Sequence, residues 1–170
     1  ETRPSAMLLV ADTKPRFRAE KICYGPGNKW RKEAAKVGLY EDWASGPIVP
    51  NSVAINIHDE HCFRGIWDQE KNPGEIVIMQ GGTRPDRERM VNLMRSFVDK
   101  KLKDRERLVV VDEGLDFYES NAGSINWRDD VLVHIARAGG ERNIGLFFGA
   151  HRPYGVPRLL NTMSNRVTLF

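Results

Sequence analysis

Two carboxylates stand side by side at the end of an apolar run. Arg107-Leu-Val-Val-Val-Asp112-Glu113 reads as a strand whose apolar residues bury it and whose tip presents Asp112 and Glu113. Such a pair suits hydrolysis at a phosphate. The first carboxylate holds a magnesium ion through water, because hard cations take oxygen ligands. The second polarises the attacking water as general base. Apolar runs ending in solvated acids are common, so the pair alone is a weak signal. A second strand about one helix later strengthens it: Asn143-Ile-Gly-Leu-Phe-Phe-Gly-Ala150-His151-Arg152-Pro153 also ends in polar residues. His151 can hydrogen-bond a phosphate or a water, with a charge that depends on pH; the plainer alternative is a loop or partly buried histidine.

The elements that must position these tips follow from pattern. Ala6 to Ala11 is a continuous apolar run followed by Asp12, as in a strand buried on both faces of a parallel sheet. Thr13 to Gly27 is polar, broken by Pro15, Gly25, Pro26 and Gly27, and reads mostly as loop. Trp30 to Leu39 suits a short helix, Val53 to Ile57 alternates like a strand, and residues 58–74 are irregular. Glu75 to Met79 is a strand-sized apolar run. Pro85 to Leu102 is the strongest helix, with Met90, Leu93, Met94, Phe97 and Val98 at helical steps and Lys100, Lys101 and Lys103 near its end. Leu108 to Val111 is a strand. Trp127 to Ala138 reads as a helix capped by Asn126 and ended by Gly139-Gly140. A strand over Ile144 to Gly149, a short helix over Val156 to Met163 and a strand over Arg166 to Phe170 complete the pattern. Strands alternating with helices imply an α/β fold, a three-layer sandwich with a mainly parallel sheet. Ligands in such sheets bind beyond the carboxyl ends of the strands, which selects Asp12, Asp112, Glu113, His151 and Arg152.

The 170 residues suit one domain, and 41% apolar with 29% charged residues excludes a disordered or fibrous chain. No run of about eighteen apolar residues occurs, so no membrane-spanning segment is expected. The net charge of +3 is distributed in blocks of alternating sign. Residues 14–36 carry eight Lys/Arg against two acids, and residues 37–76 carry two against seven. Such blocks can build one basic and one acidic face, although ordinary solvated surface is the preferred account of them. Cys23 and Cys62 do not make a disulfide framework, so free thiols in a reducing cytoplasmic setting are expected. His58-Asp-Glu-His61-Cys62 gathers possible metal ligands but lacks a second cluster beyond Cys23. Trp30, Trp43, Trp67 and Trp127 are scattered and read as packing anchors.

The two strand tips taken together resemble the FtsK/HerA branch of P-loop ATPases, which includes DNA translocases, conjugation ATPases and packaging motors. The strand over 107–113 is similar to that family's Walker B and the strand over 143–153 to its sensor strand; Leu8-Leu-Val-Ala-Asp12-Thr-Lys14 is similar to its second strand, which ends Asp-x-Lys. The resemblance covers about half the chain, mainly residues 6–14 and 107–170. It implies a RecA-like core, ATP and magnesium as cofactors, DNA as partner and a homo-oligomeric ring. Carried onto this sequence, Asp112 is the magnesium carboxylate, Glu113 the catalytic base and His151 the sensor, where the family usually has Gln. Arg137 and Arg142 are the candidates for an arginine finger reaching a neighbouring subunit. No G-x-x-x-x-G-K-[ST] occurs; Gly25-Pro-Gly27-Asn-Lys29-Trp30 lacks its spacing and its Ser/Thr. The chain therefore reads as a single incomplete ATPase-like domain over 1–170, lacking its first strand and P-loop, and as a segment of a longer polypeptide. The expected function is the core of an ATP-hydrolysing motor that translocates, transfers or packages DNA. The alternatives are a non-hydrolysing P-loop-like DNA-binding or assembly subunit, or a filamentous-phage assembly ATPase, which fits Arg152-Pro153 less well.

Overall fold

A computed structural model describes residues 6–14, 18–24, 29–32, 47–58, 74–99, 106–118, 130–151, 156–158 and 160. Seven strands form one sheet: β1 (Met7–Asp12), β2 (Arg18–Tyr24), β3 (Lys29–Lys32), β4 (Ile48–Ile55), β5 (Ile76–Gln80), β6 (Arg107–Asp112) and β7 (Ile144–Phe148). Their spatial order is β3-β2-β4-β5-β1-β6-β7. Six run parallel, and β3 pairs antiparallel with β2 at one edge. The helices are α1 (Arg84–Asp99) and α2 (Val131–Ala138), so the fold is α/β with a mainly parallel sheet.

The core follows from period-two alternation on the strands and the 3.6-residue period on the helices. Met7, Leu9 and Ala11 of β1, Val77 and Met79 of β5, and Val109 and Val111 of β6 project to one face. There they meet Met90, Leu93, Met94, Phe97 and Val98 of α1, and Val131 to Val133 and Ile135 of α2. On the other face Ala19, Ala54 and Ile78 are buried beside Val10, Val49 and Ile76. The apolar positions expected to face inward on α1 are the ones that do.

Several boundaries differ from the pattern-based expectations. Arg18–Tyr24 lies within the segment read as loop, yet forms β2. It has no clean apolar alternation; it is held by its ladder to β4 and by Lys21 Nζ, which lies 3.4 Å from Glu75 Oε1. Lys29–Lys32 is a strand, which removes the expected helix start at Trp30; residues 33–39 lie outside the described residues. β4 begins at Ile48 rather than Val53. Helix α2 starts at Val131 with Asp130 as its cap: the Asp130 carboxylate accepts from the N–H groups of Leu132 (2.9 Å) and Val133 (3.2 Å), and residues 126–129 of the expected helix start lie outside the described residues. Of the expected helix over 156–163, Arg158 and Leu160 are helical, and Leu160 is buried in the main core. The strand expected over 166–170 and residues 100–102 of the strongest helix lie outside the described residues.

Helix α1 opens on a reciprocal cap. The Asp86 carboxylate accepts from the Thr83 N–H (2.9 Å), and the Asp86 N–H faces the Thr83 hydroxyl (3.4 Å). His58 Nε2 meets the other Asp86 oxygen at 2.6 Å. Burial acts to raise the Asp86 carboxyl, but the hydrogen bonds from His58 and Thr83 outweigh it and hold its pKa below the ordinary aspartate value. The one described histidine of the His58–Cys62 group thus serves a helix start; His61 and Cys62 lie outside the described residues.

Candidate active site

Register brings the strand tips to one level. Asp12 aligns with Gln80 on one side and with Asp112 on the other. Asp12 is fully buried and accepts from the Gln80 amide at 3.0 Å. Adjacent parallel strands lie about 4.8 Å apart, so Asp12 and Asp112 sit side by side at the carboxyl end of the sheet. The Oδ2 atom of Asp112 is buried and has no hydrogen-bond partner among the described residues.

Glu113 leaves the ladder in a left-handed conformation, φ 54° and ψ 49°, which a residue bearing a Cβ adopts at a cost of about 1 kcal/mol or more. Backbone bonds on both sides impose it. The Gly114 N–H donates to the Gly149 carbonyl (2.7 Å), and the Gly149 N–H to the Val111 carbonyl (2.9 Å). The Asp116 N–H then returns to the Glu113 carbonyl (2.9 Å), closing the 3₁₀ turn Gly114–Phe117. Strained backbone of this kind clusters at functional positions.

The turn aims a nearly buried carboxylate at His151 and Lys14. Glu113 Oε1 contacts His151 Nε2, and Lys14 Nζ lies 3.7 Å from Glu113 Oε2. Lys14 also lies 3.9 Å from Asp116 Oδ1, and the Thr13 hydroxyl donates to Asp116 Oδ2 at 2.8 Å. The Glu113 side chain is 6% exposed, whereas those of Lys14 and His151 are 52% and 66% exposed. A nearly buried carboxylate is therefore flanked by side chains that solvent can reach.

Gly114 has no room for a side chain, because a Cβ there would run into the Phe148 ring. Phe148 packs in turn against Tyr118, with ring centroids 6.2 Å apart. Gly114→Ala is expected to lower stability by about 1–3 kcal/mol through overpacking. Trimming the ring relieves it, so Gly114→Ala/Phe148→Ala loses less than the sum of the single variants, as read by urea unfolding of all four proteins.

Asp112, Glu113 and His151 are thus brought together, as the strand tips implied. The two candidate arginines are not. Arg137 is exposed in the last turn of α2. Arg142 precedes β7 and lies 3.7 Å from Asp99, and its carbonyl accepts from Arg107 at the start of β6. The length of β6, about 17 Å at 3.3 Å per residue, separates that end from Glu113. Arg142 is thus at the opposite end of the sheet from Glu113, and Arg137 stands two residues before Gly139, whose carbonyl accepts from the N–H of Ile144 at the start of β7. Arg152 lies outside the described residues, as do residues 25–28; Lys29 and Trp30 belong to β3.

Sequence reasoning missed Asp116 and Gln80, and noted Thr13 and Lys14 only as part of a strand end. The signal for Asp116 was its position three residues past Glu113, where a turn returns a side chain beside the first. No protein-family model, curated protein or solved structure matches the chain.

Proposed function

We propose that this chain carries the carboxylate and sensor half of an ATP-hydrolysing, RecA-like motor domain acting on DNA. The observation that carries the reading is the convergence of Asp112, Glu113 and His151 at the carboxyl ends of β6 and β7, with Glu113 buried in strained backbone. Glu113 is the general base: its carboxylate orients a water and takes its proton as the water attacks the terminal phosphate. Asp112 holds magnesium through water. Its Oδ2, which has no hydrogen-bond partner among the described residues, is the acceptor left for such a hydrated cation. Magnesium, when bound, supplies positive charge to the phosphates. His151 reaches Glu113 from the neighbouring strand and reports on the phosphate end of the site.

The reading requires a phosphate cradle from outside these 170 residues. Among the described strands β7 pairs only with β6, so its outer edge suits a further parallel strand bearing that cradle. The placement of Arg137 and Arg142 away from the Glu113 site agrees with a finger used between subunits of a ring. The basic blocks supply charge for DNA phosphates.

The test pairs the chain with its native flanking sequence. The complete protein is expected to contain G-x-x-x-x-G-K-[ST] upstream and to hydrolyse ATP with magnesium, faster in the presence of DNA. The 170 residues alone are expected to show no turnover. A complete protein without that motif and without turnover overturns the motor reading and leaves a DNA-binding or assembly subunit.

A further inference from the structure

We propose that Asp116 is a positioning residue that keeps Lys14 from closing on the Glu113 carboxylate; the proposal rests on Glu113 being the base. The backbone alone cannot set this arrangement. The β1–β6 ladder ends at the Asp12–Asp112 pair, and Thr13, Lys14, Glu113 and Asp116 all lie beyond it. What joins the two turns past that point is side chains. Asp116 takes the Thr13 hydroxyl on one oxygen (2.8 Å) and faces the Lys14 ammonium with the other (3.9 Å).

The distances show the consequence. A lysine fully engaged with a carboxylate donates at about 2.7–2.9 Å. Lys14 Nζ is instead 3.7 Å from Glu113 and 3.9 Å from Asp116, shared between two carboxylates and in hydrogen-bond contact with neither. Lysine is a point charge on a flexible four-carbon stem, and Lys14 is half exposed, so among the described residues it is this balance that holds its head in place. Without the Asp116 charge the ammonium moves onto Glu113, takes an acceptor position that a water needs, and turns the base into an inert ion pair. Thr13 anchors Asp116, so the balance point is fixed relative to β1.

The experiment uses the complete ATP-hydrolysing protein. Asp116→Asn removes the charge while keeping an acceptor for Thr13; Asp116→Ala removes both. Each is expected to lower kcat roughly 10- to 100-fold, the scale of a misplaced catalytic group, with KM for ATP within about twofold of wild type. The decisive variant adds Lys14→Ala to Asp116→Asn. With the ammonium gone Lys14 can no longer close on Glu113, whose contact with His151 stays as in wild type, and kcat recovers at least about threefold over Asp116→Asn alone, a non-additive coupling that a merely structural aspartate does not produce. A wild-type kcat in Asp116→Asn, or a double variant no faster than Asp116→Asn, overturns the proposal. Glu113→Gln run alongside separates the two failures. If it turns over like wild type, the base assignment falls and this inference with it. If it is inactive while Asp116→Asn is unimpaired, only the role of Asp116 falls.

Discussion

Glu113→Gln in the complete protein is expected to lower ATP turnover by about 10²- to 10⁴-fold, the usual contribution of a positioned general base. Nucleotide affinity should stay within a few-fold of wild type. The amide matches the carboxylate in shape, so the turn at φ 54° and the Gly114–Gly149 bond survive the change. What is lost is the proton acceptor. Steady-state hydrolysis and equilibrium binding of a labelled nucleotide read the two consequences separately. Turnover at the wild-type rate removes Glu113 from catalysis. Lost binding with an unchanged rate per bound nucleotide makes it a structural carboxylate.

The largest expected effect on stability lies at the opposite end of the same strand. Arg107 is 4% exposed, and its Nη1 donates to the carbonyl of Phe97 (2.6 Å) and approaches that of Val98 (3.4 Å). Its Nη2 donates to the Arg142 carbonyl (3.2 Å). Phe97 and Val98 are among the last residues of α1, whose carbonyls have no partner within the helix. One guanidinium therefore closes α1 and ties it to the entry of β7, while its face rests 5.9 Å from the Phe97 ring centre. Burial, and then the charge of Arg142, pull its pKa below the usual arginine value. Arg107→Met keeps the stem and orphans the carbonyls. At about 1–3 kcal/mol per orphaned buried acceptor, a loss of about 3–5 kcal/mol is expected. For a chain of this size that lowers the melting temperature by about 6–20 °C. Arg107→Lys should recover only part, because an ammonium cannot span the three acceptors as the planar fork does. A melting temperature within 2 °C of wild type for Arg107→Met refutes this account.

Much of the scaffold around both sites is legible in the order of residues. Met7–Asp12, Ile76–Gln80 and Arg107–Asp112 have continuous apolar interiors, as buried parallel strands do, and each ends in a polar residue where the sheet ends. The helical stripe of α1 is equally plain. Arg18–Tyr24 was not legible, because its pairing comes from β4 and from the Lys21–Glu75 contact, neither of which leaves an apolar period. The cap at Asp130 was not legible, because Asn126 and Asp130 are both good cap types, and only its hydrogen bonds show Asp130 in that role. The finger candidates were legible as arginines near a turn, but not as residues at the wrong end of the sheet for their own site.

The sequence by itself determined the α/β alternation, the burial of the central strands, and the emergence of Asp112-Glu113 and His151 from strand tips. These depend on side-chain period and on neighbours close in the chain. Only the tertiary structure decided that β1 lies beside β6, which places Thr13 and Lys14 against Asp116 and Glu113 across about a hundred positions. It also decided that Glu113 is held left-handed by Gly149, and that Arg107 closes a helix ending eight residues before it. The reason is physical: strand order and register are settled by the packing of whole elements and by backbone pairing. Both are nearly blind to which polar residue follows the last buried one.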